Sequence, residues 1–402
     1  MKILFLTLVK TKSLSDRGIY TDLLRKFKHE GHEIFVVNPV ERREKKNTFC
    51  IYEENTTILN VKTLNIQKTN LIEKGLGTLL IEYQYLKAIK KYFDNEKFDL
   101  ILYSTPPITF SKVISYIKNR DNAFSYLLLK DIFPQNAIDM KMMKENGILH
   151  KLFVKKERKL YELSDAIGCM SEANKQYVIK YNPYLNPNTI EVNPNTIEPI
   201  SKHISDDEKE NIKLKYQLPL DKKIFVYGGN LGKPQGLDFL IQTIENCKNS
   251  MVFFLIVGSG TEFPKIEKWF LENKPTNAKL LSSLPKYDYD VLLQSCDIGL
   301  IFLHPHFTIP NFPSRLLSYL EMKIPVIAAT DSITDIGKVI QENGCGFSVQ
   351  SGDVKNMIKS IDRIIVDEEK FLAMKENAWK LLNAKYDVSV SYNLIIKRMN
   401  NV

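Results

Sequence analysis

Short apolar runs alternate with amphipathic stretches along most of this chain, the pattern of an α/β protein with parallel sheets. In the first half the runs Ile3–Val9, Ile34–Val37, Leu100–Tyr103, Phe124–Leu129 and Ala166–Met170 predict strands. Helical spacing over Ile19–His29, Thr78–Phe93, Ile108–Lys118 and Ile148–Leu163 predicts the helices between them. Residues 41–70 are polar and weakly patterned. A second series starts near 223, with strands expected at Ile224–Tyr227, Val252–Val257, Lys279–Leu281, Ile298–Leu303, Val326–Ala329 and Gly346–Val349. Its helices fall at Leu237–Cys247, Phe263–Leu271, Tyr287–Ser295, Ser314–Met322 and Ile336–Glu342, and from about Val354 onward the pattern is mostly helical.

Between the two series lies NPYLNPNTIEVNPNTIEPISKHISDDEKE, rich first in Pro and Asn and then in charge, as a domain boundary should be. NPNTI occurs twice in it, too few copies for a repeat architecture. The expected organisation is two doubly wound, Rossmann-like domains over 1–197 and 198–385, with a last helix over 386–402 packing back on the first. Ligands of such folds bind at the carboxyl ends of the strands, so a central cleft between two such domains is the natural site.

Composition narrows this only slightly. A hydrophobic share of 44% and a charged share of 26% are those of a soluble globular chain. No run reaches the roughly 18 apolar residues of a membrane span. MKILFLTLVK is short and lacks a cleavage site, so it is expected to be a buried strand and not a signal peptide. Five scattered cysteines without a CxxC fit a reduced, cytoplasmic protein with neither disulfide frame nor zinc site. The net charge of +9 is uneven: residues 1–200 contribute +8 and the remainder +1. The basic half favours anionic partners, whether phosphate groups or an acidic lipid surface. No RNA- or DNA-binding signature accompanies it, so no nucleic-acid partner is expected.

Several stretches carry candidate chemistry. In YGGNLGKPQG, Tyr227 to Gly236, a strand enters a glycine-rich turn, where backbone can approach a phosphate; a tight turn without a ligand fits the same pattern. In TIPNFPSRLLSY, Thr308 to Tyr319, Ser314 and Arg315 open a helix. A helix start alone is worth about 0.3–1 kcal/mol to an exposed anion, too little for a diphosphate, and Arg315 is placed to supply the missing cation. A cap followed by a surface arginine is the plainer alternative. Asp131, in LLLKDIFPQNAIDM, follows an apolar strand and could orient a hydroxyl or act as a base, or merely cap the next helix. Arg17 and Gly18 precede the first helix and could hold an acceptor phosphate, or form a solvated loop. Asp288 and Asp290 have the Asp-x-Asp spacing of a metal pair, but acids at a helix start also simply suit its dipole, and no metal is expected. His304 and His306 do not form a ligand set, and neither HExxH nor GxSxG occurs. GILHKLFVKKERKLYEL (147–163) is basic and apolar, and LIEKGLGTLLIEYQYL (71–86) is apolar and aromatic. Together they suggest peripheral docking on anionic lipid, or else two ordinary amphipathic helices on a sheet.

Taken in order, HEGHEIFVV, STPPI, KDIFP, CMSEANKQYV, VNPNTIE, YGGNLGKPQGLDFL, FLIVGSG and NFPSRLLSYLEMKIPVIAATD make nearly the whole chain resemble glycosyltransferase family 4, in particular bacterial enzymes of capsule and O-antigen assembly. The resemblance implies a GT-B fold and a metal-independent, retaining hexosyl- or N-acetylhexosaminyl-transferase of cell-surface polysaccharide synthesis. It implies no cofactor, a nucleotide-diphosphate sugar, such as a UDP-sugar, as co-substrate, and a glycan or polyprenyl-diphosphate-linked acceptor. The expected location is cytoplasmic, peripheral on the inner face of the plasma membrane. Arg315 and Lys233 would stabilise the departing diphosphate and Asp131 would orient the acceptor or the sugar. Gly229, Asn230, Gly232, Asn311, Phe312, Ser314 and Ser318 would line the donor, and Arg17 and Gly18 the acceptor side. Two departures stand out. The family's Glu-x7-Glu positions fall on Pro310 and Ser318, and its Arg and Lys in the glycine-rich turn on Asn230 and Gln235. They motivate a second reading, a non-catalytic sugar-nucleotide-binding partner of another transferase. A nucleotide-sugar epimerase of the same fold is a third.

Overall fold

The computed structural model describes residues 1–66, 71–201 and 204–401. The end of the polar stretch 41–70 and two residues of the boundary segment, Lys202 and His203, therefore lie outside the described residues. The chain forms two units, Met1–Glu198 with Asp387–Val402, and Pro199–Tyr386.

The first unit is built on strands β1 (Lys2–Leu6), β2 (Glu33–Glu41), β3 (Phe49–Glu53), β4 (Thr56–Thr63), β5 (Leu100–Ser104), β6 (Phe124–Leu129), β7 (Ala166–Cys169) and β8 (Ile190–Val192). They lie in the order β3-β4-β2-β1-β5-β6-β7-β8. Every pair is parallel except β3 with β4. Ile3, Phe5, Leu102 and Leu128 are buried in the sheet and Leu24 and Phe27 beneath the helix Ile19–His29, as parallel strands covered by helices require. The polar stretch thus contains two strands. β4 pairs with β2 over eight residues, and Ile58, Leu59, Asn60 and Val61 are all buried. A strand buried on consecutive residues shows no alternation, so its period does not appear in the sequence.

The second unit has a six-stranded, all-parallel sheet of β9 (Lys223–Asn230), β10 (Val252–Ser259), β11 (Ala278–Ser282), β12 (Ile298–Phe302), β13 (Val326–Thr330) and β14 (Gly346–Gln350), in the order β11-β10-β9-β12-β13-β14. Phe225, Tyr227, Phe254, Leu300 and Ile327 form the centre of its core. The first strand, β9, is central in this sheet, so the loop after it stands beside the loops after β10 and β12.

The helix Val388–Asn400 returns to the first unit. Asp387 caps it by accepting the Ser389 N–H at 2.7 Å, and Val388 and Ile395 are buried in that unit's core. Tyr392 meets Phe27 edge-on at 4.9 Å, and Arg398 donates twice to Glu191, at 2.8 and 3.1 Å.

Candidate functional site

The loop after β9 is shaped by its glycines. A Cβ on Gly228 would stand 1.8 Å from the Tyr289 hydroxyl, so only glycine fits there. Gly229 has φ +117°, a region open to glycine and few other residues. The Tyr227 hydroxyl donates to the Asn230 carbonyl at 2.9 Å. Gln235 Oε1 accepts from Asn230 Nδ2 at 3.2 Å and from the Gly232 N–H at 3.3 Å. Asn230 and Gln235, at positions where an arginine and a lysine were the expected pattern, therefore tie the turn to itself. Lys233 opens the short 3-10 turn Lys233–Gln235 with its side chain exposed. The His304 N–H donates to the Pro234 carbonyl at 2.9 Å, and Gly236 lies against Leu303 and His304. The glycine-rich turn and the loop leading to Asn311 are thus fastened together. Burial holds the pKa of His304 below its ordinary value, and His306 beside it adds to that.

Arg315 reaches this turn from the helix Arg315–Glu321. Its guanidinium lies over the Tyr227 ring, 4.4 Å from the centroid, and Nη2 is 3.8 Å from where a Cβ on Gly229 would be. Its Nη1 is buried and has no hydrogen-bond partner among the described residues. A buried unpaired donor on a permanently charged group is costly unless something accepts from it. Tyr319 sits behind: its hydroxyl accepts the Gly228 N–H at 3.3 Å and lies 3.2 Å from the carbonyls of both Val226 and Leu300. Burial pushes the Tyr319 hydroxyl up to about 12, against the pull of Arg315. Tyr227, Tyr289 and Tyr319 thus build the wall that holds Arg315 and the glycines. Sequence reasoning missed all three. Tyr319 lies four residues after Arg315, hence on the same helix face, but nothing separates such a tyrosine from ordinary core.

The remaining donor-side candidates have mixed placements. Ser314 is exposed and Ser318 half-buried, both on or beside the Arg315 helix. The Asn311 N–H donates to Thr334 Oγ1 at 3.1 Å, while Asn311 Nδ2 is buried and lacks a partner among the described residues. Thr334 is itself held by Asp331 at 2.8 and 2.9 Å. The Phe312 ring is buried, 6.1 Å from Tyr386.

In the first unit Asp131 follows β6. Its carboxylate accepts from Asn136 Nδ2 at 2.7 Å, and its N–H donates to Thr105 Oγ1 at 3.2 Å. Burial raises its pKa to about 6, with the Asn136 bond opposing. The preceding Lys130 is drawn down to about 7 by burial, its Nζ lying 3.4 and 3.5 Å from the carbonyls of Asn193 and Pro194. Sequence reasoning did not single out Lys130 or Asn136. Arg17 donates to the Glu198 carbonyl at 3.0 Å, and the Gly18 N–H donates to Asp22 Oδ1 at 3.0 Å. Both acceptor-side candidates therefore make bonds inside the unit.

The Asp-x-Asp pair does not act as one site. Asp290 is buried and paired with Lys286, whereas Asp288 is half-buried at the start of the helix Lys286–Leu293. Among the described residues no group of three or more His, Cys, Asp or Glu could hold a metal ion. The five cysteines are free. No described helix is long and apolar enough to cross a membrane.

Residues 208–381, nearly all of the second unit, match the family model of Glycosyl transferases group 1. "Probable glycosyltransferase WbjE" of Pseudomonas aeruginosa is 22% identical over 307 residues, 74% of this chain and 73% of its own. "Putative colanic acid biosynthesis glycosyl transferase WcaI" of Escherichia coli (strain K12) is 23% identical over 186 residues, 45% of each chain. Among solved structures, sucrose-phosphate synthase from Thermosynechococcus elongatus superposes with a TM-score of 0.75 over 100% of this chain and 99% of its own, at 13% identity. Anabaena Alr3699/HepE in complex with UDP does so with a TM-score of 0.71 over 100% of both chains, at 15% identity. At these identities the likeness is one of fold, and the fold is GT-B.

Proposed function

We propose, from a GT-B chain whose second unit carries a Glycosyl transferases group 1 match, that the protein moves a hexosyl or N-acetylhexosaminyl group from a nucleotide-diphosphate sugar to a glycan or lipid-linked acceptor. The observation that carries this reading is the buried, unpartnered Nη1 of Arg315 beside Gly229, a cation with hydrogen-bonding capacity to spare at a turn without side-chain cover. Arg315 and exposed Lys233 stabilise the diphosphate as its negative charge grows, where a fixed cation acts most strongly. Gly229, Asn230 and Gly232 line the diphosphate, and Asn311, Ser314 and Ser318 the rest of the donor. Phe312 supports that loop from the core.

The transfer proceeds with retention. The acceptor oxygen bonds to the anomeric carbon on the face the leaving group departs from. The bond from that carbon to the diphosphate oxygen breaks, and the acceptor proton passes to a diphosphate oxygen. Asp131, ionised above about pH 6, orients the acceptor hydroxyl. The complex of Alr3699/HepE with UDP-glucose supports a UDP-sugar donor, and the name of WcaI supports a role in surface polysaccharide synthesis. With Asp290 engaged by Lys286, the two cations stand in for a metal at the diphosphate, so chelation by EDTA is expected to leave the rate unchanged.

The test is release of nucleoside diphosphate from a panel of nucleotide sugars, with and without acceptor. Arg315→Ala is expected to lower transfer about 100-fold or more at saturating donor. A near wild-type rate for that variant would sink the assignment. A second reading draws on Pro310 and Ser318, where two glutamates were expected: a sugar-nucleotide-binding partner of another transferase. Tight donor binding without turnover across many acceptors would favour it. Donor turnover without acceptor would instead indicate an epimerase.

A further inference from the structure

The sheet of the second unit ends at β11, a strand paired on one side with β10. Parallel pairing decides which of its backbone groups are used. The Phe254 N–H donates to the Asn277 carbonyl at 2.8 Å, so Asn277, Lys279 and Leu281 turn their backbone groups towards β10. Ala278, Leu280 and Ser282 turn theirs to the open edge, where they meet no partner among the described residues. With a period of two, the side chains of these three residues share one face. The helix Phe263–Asn273 lies along that face, and a groove of about 570 Å3 runs between helix and strand. Phe263, Glu267, Phe270, Leu271 and Lys274 line its other wall, spaced as one face of a helix.

The groove is apolar where the backbone is open. Phe263, Phe270 and Leu280 are only partly buried against the core, and Leu271 is 70% exposed. Open sheet edges are commonly blunted by an outward charge. Here Lys279 points elsewhere, its Nζ donating to the Tyr216 carbonyl at 2.7 Å and to Gln217 Oε1 at 3.2 Å. The opposite edge, β14, has a cavity of about 600 Å3, but polar side chains line nearly all of it, with Lys338 3.7 Å from Glu342. A row of N–H and C=O groups at strand spacing is complementary to another peptide backbone, and the alternate side chains of that peptide would fill the groove. Exposed Glu267 and Lys274 give the groove both signs of charge, which suits neither nucleic acid nor an acidic lipid surface. Lys274 forms no ion pair among the described residues and stands where β11 is about to begin, so an acidic side chain at that end completes the match. An edge of five residues is short for a stable dimer, which takes about 800 Å2 from each partner.

We propose that the β11 edge takes up an extended segment of a partner protein as an added strand, with apolar side chains at alternate positions in the groove and an acidic one on Lys274. The inference goes beyond the transfer reading and does not depend on it, because it is tested without donor or acceptor sugar. The probes are two fluorescein-labelled hexapeptides of alternating valine and threonine with blocked termini, one with an aspartate added at its amino end and one at its carboxyl end. The full chain is expected to bind one of them, below about 1 mM and about threefold or more tighter than the other. Methylating the amide nitrogens that face β11 should weaken binding about tenfold or more, since the added strand then loses its backbone bonds. Leu271→Asp should weaken it about tenfold or more. Lys274→Glu should weaken it about threefold and should favour instead the peptide with lysine in place of aspartate. Both positions are exposed, and circular dichroism of the variants should match wild type. Binding of neither peptide, equal binding of both, binding that survives methylation, or undiminished binding by both variants would each overturn the proposal. So would a wild-type dimer in solution that Leu271→Asp dissolves, since the edge would then belong to a second copy.

Discussion

Tyr319 shows how much a single hydroxyl can organise. It receives the Gly228 N–H and stands within hydrogen-bond reach of two strand carbonyls, while Gly299 beneath its ring has no room for a Cβ. Tyr319→Phe leaves those buried groups short of a partner, a loss of about 1–3 kcal/mol. A fall in melting temperature of roughly 2–10 °C is expected, together with weaker donor binding, because Gly228 and Gly229 lose their seat. Lys130 offers a test by pH. Burial lowers its pKa in the folded chain to about 7, from an ordinary 10.5. Between those values the unfolded chain carries a proton that the folded chain has released, so stability rises with pH across that window. Below about 7 both states are protonated and the cost of burying the charge is fully present. Lys130→Met should therefore raise the melting temperature at pH 6 by more than it does at pH 9. A gain independent of pH would mean that the ammonium is not desolvated in the fold.

At the scale of elements, β9 and β10 approach each other so closely that Gly258 touches the opposite backbone. A Cβ there would be 2.0 Å from the Gly229 carbonyl oxygen, which cannot swing aside as a side chain could. Gly258→Ala should cost about 1–3 kcal/mol or more and disturb the turn that Arg315 faces. Gly75→Ala, at a half-buried helix position where an added Cβ meets nothing within 4 Å, is the control and should stabilise by about 0.5–1 kcal/mol. Thermal melts of the two variants should move in opposite directions. Much of this architecture is legible in the chain. Ile19–His29, Phe124–Leu129, Ile148–Leu163 and Ile336–Glu342 form the elements their patterns predict, end to end. The strands Phe49–Glu53 and Thr56–Thr63 are not legible, because their burial is set by neighbours distant in sequence. The helix predicted from Thr78 begins at Leu71, and its Gly77 packs closely on Ile66 and the Asn65 carbonyl. The candidate site divides in the same way. Arg315 and the glycines stand out by type and spacing, whereas Tyr227, Tyr289 and Tyr319 resemble any core aromatic until the fold brings them together.

For the whole molecule, the helix Val388–Asn400 belongs to the unit that began almost 400 residues earlier in the chain. Its Val388 and Ile395 are part of the core around Phe27 and Leu24. Arg398→Ala, which removes two bonds to half-buried Glu191, should loosen that helix. Hydrogen exchange should rise over Val388–Asn400 and over Ile19–His29, while the second unit is unaffected. Deletion from Asp387 onward should do more, exposing Phe27 and lowering the yield of soluble protein.

The same returning helix sets an order of events during synthesis. Residues 1–198 leave the ribosome before residues 199–386, but their core lacks Val388 and Ile395 until the last helix has been made. The segment 199–386 is complete sooner and is free to fold while the earlier-made one still waits for its last helix. A nascent chain stalled near residue 386 should therefore hold a protease-resistant second unit and a protease-sensitive first one. Of the two units, the one translated earlier would be the more dependent on chaperones.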